Sequence, residues 1–287
     1  MNYRHTFHAG NFADVVKHAI LARILTALNR KEAPYRVLDT HAGTGLYDLS
    51  SDEAARTGEW RGGVARLAGQ PLPDDLATFL APYLAAVRAV NDGDEIRRYP
   101  GSPAIATTLG RLQDRYVFNE LHSADADALA ARFAGDRRVR VMREDGYVAV
   151  RSQLPPRERR GLTVIDPPFE EPGEFARLVG AFEDAARRFA TGAILAWYPI
   201  KSTAAVTAFH AALAGSGLTR LLRVDHWTRA PGDEPGLAAA GLVIMNPPYP
   251  IADELAAIMP GLAHRLATGP GAGCRVDWLV PEARGGG

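Results

Sequence analysis

The chain has 287 residues, 47% of them hydrophobic, which suffices for one large core or one core plus a small inserted subdomain and excludes several independent domains. Its 33 basic and 33 acidic side chains cancel, so no overall positive field advertises a polyanionic partner, and any grip on nucleic acid has to be local. A single cysteine, Cys274, excludes a disulfide framework and a cysteine-built metal or iron–sulfur site, and fits a reducing cytoplasm.

In chain order, the amino-terminal MNYRHTFHAGNFADVVKH is polar and histidine-rich with no apolar leader core, and no later run reaches membrane-spanning length without charges. The expectation is a soluble, unprocessed, cytoplasmic protein. Residues Ala13 to Leu28 predict a helix with Val16, Ile20, Ile24 and Leu28 on roughly one face and Asn11 as its cap. Short apolar runs then alternate with helical stretches, the pattern of a mostly parallel sheet flanked by helices. The strand-like runs are 36–39, 116–119, 139–142, 162–165 and 193–197, followed by 221–226, 242–245 and 275–279, whose pairing the sequence leaves open. From about Ser50 to about Arg98 the chain is too long for an ordinary loop and has its own helical pattern at 76–90. It reads as an inserted helical subdomain, 50–98, between the two parts of the main domain, 1–49 and 99–287.

The first strand runs into Asp39-Thr40-His41-Ala42-Gly43-Thr44-Gly45, where glycines permit tight turning and close backbone approach to a ligand. In open parallel sheets such loops lie at the carboxyl ends of the central strands, where ligands bind. Glu120 closes the second run, placed to accept ribose hydroxyl hydrogens, and Asp145-Gly146 follows the third, placed to read an adenine edge. Each acid alone is an ordinary turn residue. Three successive strand ends of this kind outline a nucleoside-shaped site, and the lack of a Walker-type lysine favours S-adenosylmethionine over a nucleotide triphosphate.

The fourth run ends in Asp166-Pro167-Pro168-Phe169. Consecutive prolines make a stiff turn with free carbonyls. An exocyclic adenine nitrogen is a poor nucleophile because its lone pair is delocalised into the ring. The Asp166 carboxylate and the Pro167 carbonyl can accept its two hydrogens and favour the pyramidal geometry needed for in-line displacement at a sulfonium carbon. Phe169 is the candidate to stack on a base withdrawn from its helix or loop. The plainer alternative is a proline turn that merely ends a strand. A second near-copy, Asn246-Pro247-Pro248-Tyr249, follows a late run expected toward the sheet edge, so Asn246 is assigned a structural role.

The tetrapeptide and glycine loop resemble class I amino methyltransferases in general. More specifically, YRHTFHAGNFADVVKH, LDTHAGTG, the YPGSP at Tyr99 to Pro103, the NELH at Asn119 to His122 and RRGLTVIDPPF at Arg159 to Phe169 resemble the RlmJ family, through nearly the whole chain. The resemblance implies a class I, Rossmann-like S-adenosylmethionine-dependent methyltransferase fold with a small helical insertion. It implies methylation of 23S ribosomal RNA at the exocyclic N6 of the adenine usually numbered 2030, with S-adenosylhomocysteine as the other product. The donor-binding positions implied are His18, His41, Ser102, Glu120, Asp145, Gly146 and Asp166, with Asp166 also catalytic; Gly43 of the glycine loop is added to them on its own account. Tyr3 matches an RNA-contacting position, and Arg4, His5 and Lys17 lie in the same segment. Without the resemblance, His18 reads as an exposed helix histidine. One departure is Phe169, where the family usually has Tyr: stacking survives, but any role for a phenol hydroxyl does not.

Arginines cluster at 97–98, 137–143 and 157–160; the last two groups flank strands leading to the proposed site and are candidates for phosphate contacts. The eight histidines show no tight ligand spacing, and the chemistry needs no metal-activated water, so no metal is expected. No membrane or obligate protein partner is implied, and a monomer is expected. The competing functions are amino methylation of another substrate, such as DNA adenine or a protein amide, and a non-catalytic RNA-binding scaffold.

Overall fold

The computed structural model describes residues 5–68, 71–93, 95–230 and 236–282. The chain opens with a 3-10 turn at His5–Phe7 and enters helix α1 (Phe12–Asn29), whose cap is Asn11: its side chain accepts from the Asp14 amide at 2.9 Å. Then follow β1 (Arg36–Asp39), β2 (Leu46–Asp48), α2 (Asp52–Thr57), two 3-10 turns, α3 (Asp74–Arg88), β3 (Arg98–Pro100) and α4 (Ser102–Leu109). The remainder is β4 (Arg115–Asn119), α5 (Ser123–Arg132), β5 (Val139–Met142), α6 (Gly146–Gln153), β6 (Gly161–Ile165), α7 (Glu174–Arg188), β7 (Ala193–Pro199), α8 (Thr203–Gly215), β8 (Leu221–Trp227), β9 (Ala239–Met245), α9 (Ile251–Arg265) and β10 (Gly273–Val280).

Eight strands form one sheet in the order β10-β8-β9-β7-β6-β1-β4-β5, with β5, β4, β1, β6 and β7 parallel and the last three antiparallel. The class I methyltransferase fold is thus present. The strand residues alternate between two buried faces: Val37, Tyr116, Phe118, Leu162 and Val164 join α1, α3 and α9 in one core, while Leu38, Val117 and Ile165 join α6, α7 and α8 in the other. Both faces being covered explains why these strands read as nearly continuous apolar runs. From β1 the chain winds outward through β4 to β5 and then returns to β6 on the other side, so the strand order reverses between β1 and β6. That reversal is where an open parallel sheet leaves a ligand crevice at its carboxyl ends.

Two expectations are corrected. Helix α1 is not one-faced: its residues 12–22 are buried all round, because α3, α4 and α9 close over the side away from the sheet. Strand β9, which precedes Asn246, is not near the edge but lies between β8 and β7, and the edge strands are β10 and β5. The sequence also gave no hint of the small antiparallel pair β2–β3, with Tyr47 opposite Tyr99, which brackets the segment containing α2 and α3. That segment buries Val64, Leu67, Phe79, Leu80 and Tyr83 in the same core as α1.

Candidate active site

The carboxyl ends of β1, β4, β5 and β6 bring the expected residues together. Asp166 follows β6, next to the β1 loop, whose Thr40 amide bonds to the Val164 carbonyl at 3.0 Å. Helix α1 lays Lys17 over this end of the sheet. Its ammonium bonds to one carboxylate oxygen of Asp166 and, at 2.8 Å, to Asp14. Asp14 in turn accepts from His5 and from the Gly10 amide, both at 2.9 Å. Burial opposes charge on Lys17, but Asp14 and Asp166 override it and hold the ammonium well above its ordinary range. The Asp14 carboxyl lies well below its usual range despite burial, because His5 and Lys17 face it. Lys17 is therefore a buried, doubly paired cation rather than an open surface lysine, and a direct RNA contact would have to use its third N–H.

The glycine loop is pinned from several sides. Glu120 accepts from the Gly43 and His122 amides, both at 2.8 Å, so its carboxylate is already oriented, and burial pushes its pKa up. Gly43 has φ +59° and lies against the Tyr47 hydroxyl, leaving no room for a Cβ. Asn119, fully buried, donates to the carbonyls of Thr40 (3.0 Å) and Glu144 (2.9 Å) and accepts from the Glu144 amide (2.9 Å), which clamps the β1 loop to the β5 loop. Asp145 caps α6, one oxygen accepting from Tyr147 (2.9 Å) and Val148 (3.1 Å), while its second oxygen, 4.0 Å from the Arg177 guanidinium, accepts no hydrogen bond. Beside it, the His41 ring lies so close to Gly146 that a Cβ there would meet it at 2.5 Å.

His18 is buried, against the sequence expectation of an exposed histidine: its Nδ1 pairs with the Tyr99 hydroxyl at 2.7 Å and the two rings stack at 5.6 Å. Burial lowers its pKa to about 3, so the imidazole is neutral. Ser102 begins α4, and the Gly101 amide bonds to the Gly45 carbonyl at 3.0 Å, tying α4 to the glycine loop. Phe169 adopts φ +51° and packs edge-on to Phe175 (4.9 Å) and Trp197 (5.9 Å), half-buried at the rim. His5 belongs to the Asp14 cluster and meets the Tyr47 ring at 5.0 Å. Tyr3 and Arg4 lie outside the described residues.

Asp14, Tyr99, Asn119 and Asp39 were not singled out from the sequence, although each lies inside a quoted motif. Asp39 is 1% exposed and its Oδ2 has no hydrogen-bond partner within the protein. Burial, with the nearby Asp166 charge adding, pushes its carboxyl up to about 7. A buried carboxylate whose Oδ1 accepts from the His41 amide at 3.3 Å, an oriented Glu120 and a side-chain-free Gly146 suit a cationic nucleoside donor: Asp39 for positive charge, Glu120 for the ribose, the Asp145-Gly146 turn for the base.

The second tetrapeptide sits elsewhere. Because β9 runs antiparallel, Met245 pairs with Ile194 at the start of β7, whereas Ile165 pairs with Ala196. Asn246 is thus at the opposite end of the sheet from Asp166. Its side chain donates to the carbonyls of Ala190 (2.8 Å) and Gly192 (2.9 Å), closing the turn between α7 and β7. The arginines at 137–140 and 157–160 also lie at that opposite end, flanking the amino ends of β5 and β6.

The family described as "RsmJ: Ribosomal RNA large subunit methyltransferase D, RlmJ" matches residues 32–280. The chain is 39% identical to the "Ribosomal RNA large subunit methyltransferase J" of Haemophilus influenzae over 284 residues, covering 98% of this chain and all of that protein. It is 38% identical to the protein of the same name from Escherichia coli K12 over 282 residues, again covering 98% of this chain and all of the relative. Among solved structures, a Legionella pneumophila protein is similar with a TM-score of 0.85 and 31% identity, covering 94% of this chain and 98% of that one. With the glycine loop, the strand-end acids and Asp-Pro-Pro-Phe in place around one crevice, the chain belongs to the RlmJ family of ribosomal RNA large subunit methyltransferases.

Proposed function

We propose that the protein transfers a methyl group from S-adenosylmethionine to the exocyclic N6 of one adenine in 23S ribosomal RNA, the adenine usually numbered 2030. The observation that carries this reading is the Asp166 carboxylate at the topological switch point, pinned through one oxygen by buried Lys17. Its other oxygen and the Pro167 carbonyl are then the two acceptors an amino group needs. S-adenosylmethionine, when bound, supplies an electrophilic methyl. His18, His41, Gly43, Ser102, Glu120, Asp145, Gly146 and Asp166 are the residues assigned to hold it.

The chain's own part is positional. Asp166 and the Pro167 carbonyl orient the N6 hydrogens, Pro168 keeps the turn stiff, and Phe169 offers the exposed part of its ring to the base. His5 and Lys17 act through Asp14, which links them into one cluster; Tyr3 and Arg4, outside the described residues, are assigned to contact RNA. The segment 50–98, read as a helical insertion, is assigned to widen the surface offered to RNA. The reaction needs no metal, and among the described residues no three His, Cys, Asp or Glu side chains are grouped to hold one. No helix among the described residues is long and apolar enough to cross a membrane; the protein is assigned to the cytoplasm as a monomer. The test is methylation of a 23S transcript with labelled donor, mapped by mass spectrometry. A product methylated on an amide of protein, or on another base, would refute the assignment.

A further inference from the structure

A cleft of about 580 Å³ opens at the amino ends of β1, β4 and β5, the end of the sheet away from Asp166. Its walls carry Arg36, Arg115, Arg137, Arg138, Arg140 and Arg157 against a single acid, Glu158. Glu158 is taken by Arg36 at 3.0 Å, and Arg138 is paired with Asp136 at 2.7 Å. Arg115 donates to the carbonyls of Leu112 and Asp114. Arg137, Arg140 and Arg157 are exposed, and none has an ion pair among the described residues. In a chain with no net charge, this is a marked local excess of guanidinium, the group whose planar fork matches phosphate oxygens.

The cleft is joined to the active-site crevice by one helix. Gly146, the first residue of α6, lies at the donor loop against His41, whereas Ser152 and Gln153 at its far end line the cleft. Seven helical steps make that path roughly 10 Å, about three phosphate steps of a duplex strand at ~3.4 Å each. Val148, Arg151 and Ser152 are exposed along it. Hydroxyl and amide side chains beside arginines are the usual companions of phosphate contacts.

We propose that this cleft is a second RNA-binding site, remote from the chemistry, where Arg137, Arg140 and Arg157 hold phosphates of the RNA flanking the target adenine. The proposal rests on ribosomal RNA being the substrate. An open cleft with three unneutralised cations, Arg137 and Arg140 at the start of β5 and Arg157 in the loop before β6, fits an extended polyanion better than a single small anion. It also answers how a neutral protein grips RNA: the charge is segregated, not abundant.

The test is the full-length variant Arg137→Glu/Arg140→Glu/Arg157→Glu, assayed on a 23S transcript across a salt series. KM for the transcript should rise at least about tenfold with kcat within about twofold, and the slope of log KM against log salt should fall by about 3, near one per lost phosphate contact. Donor affinity and melting temperature should stay unchanged. Arg187→Glu/Arg188→Glu, on exposed α7, is the control for bulk charge and should move KM far less. An unchanged KM and salt slope in a transcript-active protein, or an equal loss in the control, overturns the cleft alone. Saturable binding of inorganic phosphate, lost in the variant without any change in RNA KM, makes it a small-anion site and overturns it too. A wild-type protein that methylates no ribosomal RNA transcript refutes the substrate assignment itself, and the cleft's role falls with it.

Discussion

Two Pro-Pro turns compete for the catalytic role, and replacing Asn246 by Ala separates them by moving stability and activity in different directions. The Asn246 amide holds the Ala190 carbonyl, which is exposed, and the Gly192 carbonyl, which is half-buried; at about 0.5 and 1 kcal/mol these lose ~1.5 kcal/mol in the variant. Asn246 also sits at φ +50°, a conformation asparagine tolerates and alanine resists by roughly 1 kcal/mol more. The combined loss of about 2.5 kcal/mol corresponds to a fall in melting temperature of roughly 5–10 °C for a chain of this size. Turnover at 25 °C with saturating donor should stay within about twofold of wild type. Asn246→Gly loses the hydrogen bonds but relieves the left-handed strain, so its melting temperature should lie between the two. Differential scanning calorimetry and a labelled-methyl assay on the same samples measure both. A variant that melts normally yet loses turnover a hundredfold would falsify the assignment and move the chemistry to the second turn.

Asp166→Ala should cut kcat at least about a thousandfold while circular dichroism stays close to wild type and much of the donor affinity by calorimetry survives, since the acceptor acts mainly on the transition state and seven other residues are assigned to the donor; near-normal turnover would refute its role. Asp39 carries a raised folded pKa of about 7, so the native state holds a proton that the unfolded chain releases near 3.9. Its contribution is therefore full below pH 4 and declines as pH rises through 7, by at most about 1.4 kcal/mol per unit. Urea melts at pH 5, 6, 7 and 8 should show Asp39→Asn flattening that decline, and parallel curves would contradict it. Chelation should leave methyl transfer intact on a pre-folded transcript; activity lost and restored by one divalent ion would show a metal at work. Deleting residues before Asn11 removes His5 and the Gly10 amide from Asp14, so it should reduce RNA methylation more than tenfold with a much smaller loss of donor affinity; equal methylation by both forms at limiting RNA would shift substrate choice to the inserted helices.

What could be read from the sequence was what local chemistry dictates. Strand runs such as 162–165 and the ends at Glu120, Asp145 and Asp166 were legible because buried parallel strands are mostly apolar and their carboxyl ends turn polar abruptly. Asn11 was legible as a cap because its amide competes for the helix amides three residues on. Tyr99 and Asn119 were not, since each acts through a partner dozens of positions away: Asn119 reaches Thr40 across 79 residues, and Tyr99 reaches His18 across 81. Asp14 has only near neighbours as partners, and its tie to the site runs through Lys17 to Asp166, 149 residues beyond that lysine. The burial of His18 follows from α3 and α4 closing over α1, a tertiary event no helical periodicity encodes. Strand direction was equally invisible, and it is the antiparallel course of β9, rather than a place at the edge, that removes Asn246 from the chemistry.

Strand direction also explains why two similar turns in one chain do different work. After β6 the chain emerges at the switch point, where neighbouring loops diverge and leave a crevice, so the polar groups of Asp166-Pro167 face a ligand space lined by β1. After β9 it emerges among the amino ends of the parallel strands, where the α7–β7 turn fills the space, so Asn246 finds backbone carbonyls at once and is spent on them. The same stiff proline geometry thus serves as an acceptor platform at one end of the sheet and as a buttress at the other. Position decides which groups are left unsatisfied, and only unsatisfied polar groups can act on a substrate.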